Sequence, residues 1–160
     1  MPRFTDKVAL ITGSSSGIGR GIAETLAAQG ADLVINHLGD GANAEAAAAT
    51  IRGLGRRVLI HEADVARREA VAGLFAATLE TFGHVDVVVA NAAFSIRELT
   101  VDADWENVQA VIGVAQFGVY HTCQMAAQQM IRQQQTGRPG GKILVTGSIL
   151  AEYPFPTSGA

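Results

Sequence analysis

Residues 8–20 read V-A-L-I-T-G-S-S-S-G-I-G-R, and the rest of the chain is organised around them. Residues 7–12 are mostly aliphatic and β-branched, the pattern of a buried strand. The run ends at Gly13, crosses three serines and reaches Gly17-Ile18-Gly19. Ile22, Ala23, Leu26 and Ala27 then fall at helical spacing, and Gly30 stops the helix. Strand, glycine-rich turn and helix N-terminus in this order make an anion site, because the first amides of a helix have no partner inside it. Gly13 allows the sharp turn, Gly17 lets a diphosphate approach the backbone, and Gly19 lets the helix lie close to the strand. The order is G-x-x-x-G-x-G and no G-K-[ST] follows, so this is not an ATP-binding P-loop. The plainer alternative is a strand–turn–helix whose glycines serve only the turn.

Working outward, apolar strands alternate with helical stretches. Strands are expected at residues 31–36, 57–61, 86–90 and 142–146, and helices at 43–54, 67–82 and 102–135. The helix over 67–82 carries an apolar stripe of Val71, Leu74, Phe75, Thr78 and Leu79 and stops at Gly83. Residues 39–41 form a turn, 91–98 a loop, 136–141 a Gly/Pro turn, and 147–160 a loop rich in Pro, Ser and Gly. Such alternation implies right-handed βαβ units, hence a parallel sheet with helices on both faces. One domain over residues 1–160 is expected, an α/β three-layer αβα sandwich of about five strands.

The composition narrows the function. Hydrophobic residues make up 48% of the chain and charged residues 17%, which is globular. A net charge of −3 without a clustered basic face gives no reason to expect nucleic acid as a partner. The single Cys123 excludes an internal disulfide and reads as an inert core thiol. No secretory leader or membrane span is visible, so a cytoplasmic protein is the expectation.

Thr12-Gly13-Ser14-Ser15-Ser16-Gly17-Ile18-Gly19 resembles the cofactor loop of the short-chain dehydrogenase/reductase family, T-G-x-x-x-G-I-G. The resemblance implies a Rossmann-type fold and a nicotinamide dinucleotide, NAD or NADP, held by Gly13, Ser15, Ser16, Gly17, Ile18 and Gly19. Asp64-Val65 resembles the family's Asp-Val pair, which holds adenine through a carboxylate and a backbone amide. An Asp capping the next helix is the plainer account of the same residue. Asn91-Ala92-Ala93 matches the family's N-A-G at the end of strand four, with Ala93 in the glycine's place. Thr146-Gly147-Ser148 resembles the end of strand five, where the family's Ser hydrogen-bonds the reacting oxygen, so Ser148 is the implied catalytic residue.

Departures from the family pattern are informative. His37 stands where NAD-selective members often have Asp, while Ser16 and Leu38 stand where NADP users often have a basic residue. Without a phosphate-binding Arg, NAD is favoured; Asp40, just beyond, is expected to be a solvated turn residue, an inward-turned carboxylate being the alternative. V-I-G-V-A-Q-F-G-V-Y places Ala115 where the family has a water-holding Asn, and Gln116 points about 100° away on a regular helix. The family's Tyr-x-x-x-Lys occurs nowhere in the sequence. The implied function is hydride transfer between a nicotinamide cofactor and a small alcohol or carbonyl substrate. The chain is expected to represent the cofactor-binding part, with strand five left as an edge and later strands missing. Phe94, Ile149, Leu150 and Tyr153 are expected near a partly apolar pocket mouth. Family members commonly form dimers or tetramers, which implies a homo-oligomer for a full-length form. A non-catalytic dinucleotide-binding or interaction module is the alternative.

Overall fold

The computed structural model describes residues 2–153. Five strands, β1 (Val8–Ile11), β2 (Asp32–His37), β3 (Val58–Glu62), β4 (Val87–Ala90) and β5 (Lys142–Val145), form one sheet. Their order is β3-β2-β1-β4-β5 and every neighbouring pair is parallel. The order reverses at β1, so a crevice opens beyond the carboxyl ends of β1 and β4. The connecting helices are α1 (Gly17–Ala28), α2 (Gly41–Gly53), α3 (Arg68–Phe82), α4 (Trp105–Ile112) and α5 (Val119–Gln135). This is the parallel α/β arrangement that the alternation implied, and the Rossmann-type fold that the resemblance implied.

Side-chain alternation sorts the sheet into two apolar layers. Val8, Leu10, Val34 and Val88 pack with Val71, Leu74 and Phe75 of α3 and with Ala126 and Met130 of α5. Ala9, Ile11, Leu33, Ile35 and Val89 pack instead with Ala23 and Ala27 of α1 and Ala47 and Ile51 of α2. Both faces are covered, which is why the inner strands read as unbroken apolar runs. β5 differs: Ile143, Leu144 and Val145 are 37, 50 and 54% exposed, as expected of an outer strand.

Several expected boundaries change. α2 begins at Gly41, with Asp40 at its N-cap position. On α3, Leu79 is only half-buried and Phe82 takes its place in the core. The helix expected over 102–135 starts at Trp105, because Asp104 Oδ1 accepts from the Glu106 N–H (2.8 Å) and caps it. Its middle is a π-helical turn, Gly113–Gly118, between α4 and α5. A Cβ on Gly118 would lie 2.6 Å from Val65 Cγ2, and one on Gly113 would lie 3.3 Å from Ala66 Cβ. The wider turn thus rests two glycines on the segment following β3.

Cys123 is half-buried, and burial pushes its thiol up, which suits an inert thiol better than a nucleophile. Of the expected terminal loop, Ile149–Ala151 form a 3-10 turn, and residues 154–160 lie outside the described residues. No helix among the described residues is long and apolar enough to cross a membrane.

Asp32 fastens the start of β2 to the approach to β3. It accepts from Arg56 Nη2 (2.6 Å), Arg57 Nε (2.8 Å) and the Arg57 N–H (3.1 Å). Burial alone would raise this carboxyl, but the hydrogen bonds from Arg57 and the charge and hydrogen bond of Arg56 bring it below its ordinary 3.8. A depressed folded value contributes stability that is complete above the unfolded value and is lost as pH falls through the folded one. Asp32→Asn is therefore expected to flatten the acid limb of the stability curve below about pH 4. Thermal melts of both proteins across that range test it, and parallel acid limbs would contradict it.

Candidate functional site

The glycine loop is pinned at its start and open at its end. Ser14 is fully buried; its Oγ donates to Ile11 O (2.7 Å) and accepts from the Asn36 N–H (3.2 Å). The Ser14 N–H donates to Asn36 O (2.9 Å), and the Gly13 N–H donates to Asn36 Oδ1 (3.1 Å). Asn36 Nδ2 reaches Ala63 O (2.9 Å), so one buried amide joins the loop to the ends of β2 and β3. Beyond this anchor the N–H groups of Ser15, Ser16, Gly17, Ile18 and Gly19 meet no acceptor among the described residues. Ser16 occupies the N-cap position of α1 without a side-chain cap bond, so its hydroxyl does not occupy these donors. Gly17 has φ +56°, and a Cβ there would meet nothing within 4 Å. The turn therefore leaves open the amides that begin any helix, together with that of Ser15, in residues that line the cleft.

The end of β4 braces this loop. Asn91 Nδ2 donates to Thr12 O (3.0 Å) and Gly13 O (3.1 Å), while Asn91 Oδ1 accepts from Thr146 Oγ1 (3.1 Å). Thr12 Oγ1 accepts from the N–H groups of Asn91 (2.9 Å) and Ala92 (3.0 Å). Gly13, at φ +62°, passes so close that a Cβ would sit 2.8 Å from Ala92 Cα. Gly19 is pressed on the Gly13 carbonyl and the Asn91 amide, so it serves packing of helix on loop rather than helix on strand. Asp6 alone among the described non-glycine residues has positive φ, so Ala93 replaces a glycine without backbone strain.

At the end of β2, His37 is buried with its Nδ1 enclosed and without a partner. Asp40 is half-buried in the cleft wall, not a solvated turn residue, and its Oδ1 accepts from Asn43 Nδ2 (2.9 Å). Glu62 Oε1 accepts from the Gly39 N–H (3.0 Å). Asp64 does not cap α3, whose N-cap position is Arg67; its Oδ1 instead accepts from the Ala66 N–H (2.9 Å). The Val65 N–H meets no acceptor among the described residues.

These parts line a single cleft of about 1120 Å³. Gly13, Ser15, Ser16, Gly17, Ile18 and Gly19 form its floor near α1. His37, Asp64 and Val65 stand at the β2 and β3 side, and Asn91, Ala92 and Ala93 lie at the β4 end. Ser148 lines it beyond β5, where its Oγ accepts from the Leu150 N–H (3.1 Å) and opens the 3-10 turn. Accepting that bond leaves the hydroxyl proton free to be donated. Ala115 turns a methyl group to the cleft and Gln116 is exposed outside the lining, so the π-helical turn does not bring its amide inward. Phe94 belongs to the wall; Ile149, Leu150 and Tyr153, expected at the mouth, lie outside the lining and are exposed. No Lys or Arg lines this cleft among the described residues.

Thr12, Asn36 and Thr146 carry the bracing, a role that the sequence reading does not give them although Thr12 and Thr146 stand within the quoted motifs. The available signal was a polar side chain within or at the end of an otherwise apolar strand, which must find partners when buried.

The short chain dehydrogenase family model matches residues 7–160. L-rhamnose 1-dehydrogenase (NAD(P)(+)) of Sphingomonas sp. (strain SKA58) is 38% identical over 151 residues, covering 94% of this chain and 58% of that protein. A short-chain dehydrogenase/reductase from Burkholderia phymatum, solved in complex with NAD, superposes with a TM-score of 0.90 at 31% identity, covering 99% of this chain and 55% of that one. A short-chain dehydrogenase from Burkholderia cenocepacia J2315, solved in complex with NADP, gives 0.87 at 34% identity, covering 98% and 61%. The chain thus spans less than two thirds of the length of these relatives.

Proposed function

The chain belongs to the short-chain dehydrogenase family, and from that premise we propose that it binds NAD in the cleft and serves hydride transfer between the nicotinamide and a small alcohol or carbonyl compound. The open cluster of amides between Ser15 and Gly19 carries the proposal, because such a cluster suits an anionic group such as a diphosphate. The fit extends beyond it: Asp64 and the free Val65 N–H offer an acceptor and a donor to the base. Ala92 and Ala93 leave room for a ribose beside Asn91.

When bound, the nicotinamide supplies the carbon that accepts or gives the hydride. The chain's own residues bind and orient. Asn91, tied to Thr12, Gly13 and Thr146, fixes the loop against β4 and β5. Ser148 is proposed to donate its hydroxyl proton in a hydrogen bond to the substrate oxygen, one of its two lone pairs being occupied by the Leu150 N–H. Ala115 offers no polar atom for a water, and these 160 residues contain no Tyr-x-x-x-Lys to move the proton. The dehydrogenase and reductase names of the relatives do not favour the alternative of a binding module without chemistry.

NAD is proposed over NADP on electrostatic grounds. Asp40 lies in the wall beyond His37, while no Lys or Arg lines the cleft among the described residues. A ribose hydroxyl suits that wall; a 2′-phosphate would meet the Asp40 carboxylate without a cation. Calorimetric titration should give NAD the smaller dissociation constant by about tenfold, equivalent to roughly 1.4 kcal/mol. Tighter binding of NADP would reverse the preference, and binding of neither would remove the dinucleotide proposal.

A further inference from the structure

Val65 is 5% exposed, so its carbonyl needs a partner inside the protein. The partner is His121, on the first turn of α5, whose ring Nδ1 lies 3.2 Å from Val65 O. A carbonyl only accepts, so Nδ1 carries the proton in this pair. No other donor reaches that carbonyl among the described residues. Gly118, one turn earlier, lies directly on the Val65 side chain, and Gly113 on Ala66. The segment after β3 is therefore held from the helix side by one hydrogen bond and two close contacts.

What the segment presents on its other side has a definite chemistry. Asp64 is an acceptor with one oxygen engaged by Ala66, and the Val65 N–H beside it is an unused donor. An acceptor next to a donor complements a ring edge with an amino group next to an unprotonated ring nitrogen, as in adenine. The opposite arrangement, a carbonyl next to a ring N–H as in hypoxanthine, would set acceptor against acceptor and donor against donor. That discrimination depends on the angle at which the Asp64–Val65 peptide faces the cleft.

We infer that His121 is a positioning residue for base recognition: its hydrogen bond to Val65 O sets the Asp64–Val65 edge that distinguishes adenine from hypoxanthine in the bound dinucleotide. The inference rests on the dinucleotide proposal above. His121 touches no ligand; it acts through the backbone of Val65.

The test compares NAD with nicotinamide hypoxanthine dinucleotide by calorimetry on the 160-residue chain, in the native protein, His121→Leu and His121→Asn. The Asn side chain places an amide N–H near the position of the imidazole Nδ1. Native protein should bind NAD about tenfold more tightly than the hypoxanthine analogue, matching one mispaired edge. His121→Leu should bring the ratio to about one, and His121→Asn should restore it to within about threefold of native. A merely structural role would weaken both ligands together and leave the ratio unchanged, which would overturn the inference. So would a native protein that binds both equally. Failure of the native protein to bind NAD at all would instead sink the dinucleotide proposal itself.

Discussion

Gly17→Asp is expected to raise the dissociation constant for NAD at least about a hundredfold, which is roughly 2.7 kcal/mol. Gly17 is the first residue of α1, and a side chain there would project into open space, so the fold can accept it. Its φ of +56° costs an L-residue about 1–2 kcal/mol, but Asp is one of the types that adopts this conformation. The new carboxylate would sit among the N–H groups of residues 15–19, taking donors intended for a diphosphate and repelling its charge. Two like charges about 4 Å apart near a protein surface repel by about 4 kcal/mol, more than the predicted loss. Gly17→Asn supplies the control, with the same backbone strain and no charge. Calorimetry should show Asn retaining far more affinity than Asp. Unchanged affinity in Gly17→Asp would mean that the dinucleotide binds elsewhere.

At the opposite end of the sheet, Asp86→Ala should destabilise the fold by about 3 kcal/mol, lowering the melting temperature by roughly 6–12 °C. Asp86 is 5% exposed and accepts from the Val8 N–H (2.9 Å) and from Arg138 Nη2 (3.0 and 3.1 Å). Lys7 Nζ lies 3.4 Å away, and His84 Nε2 lies at 3.3 Å but is misaligned for a hydrogen bond. Removing the carboxylate leaves a buried N–H unpaired and two cations crowded without a counter-charge. The lower end of the usual 3–5 kcal/mol applies because Arg138 and Lys7 can turn outward to water. Arg138→Ala should cost less, since Lys7 remains beside Asp86. Equal melting temperatures for Asp86→Ala and the native protein would show that the cluster contributes nothing.

The sheet and the anion loop were legible because both are written in local sequence. Strands covered on two faces must be apolar throughout, as residues 8–11 and 87–90 are. A loop that offers amides to an anion needs glycine where positive φ or close approach occurs, as at Gly13 and Gly17. The parts that escaped depend on distance in space. Asp40 looked like a solvated turn residue because nothing adjacent in the chain reveals that it lies in the cleft wall. Asp64 also has the plainer reading of a helix cap, and only the placement of Arg67 at the start of α3 decides against that. His121 and Val65 are 56 residues apart, and no periodicity pairs them. The break in the long helix was also hidden, since Gly113 and Gly118 look like ordinary lapses in an apolar pattern.

That break has a consequence for how the chain tolerates change in length. A π-helical turn holds about one more residue than regular winding requires. Removing a single residue between 114 and 117 could restore an unbroken α-helix without disturbing the hydrogen-bond ladder on either flank. With α5 fixed in the core by Ala126 and Met130, the whole of α4 would then rotate by about 100° and advance by about 1.5 Å. Ala110, which now faces the cleft, would be carried away from it, and a neighbour would replace it. The surplus residue thus acts as a phase setting that decides which side chains of α4 look onto the ligand.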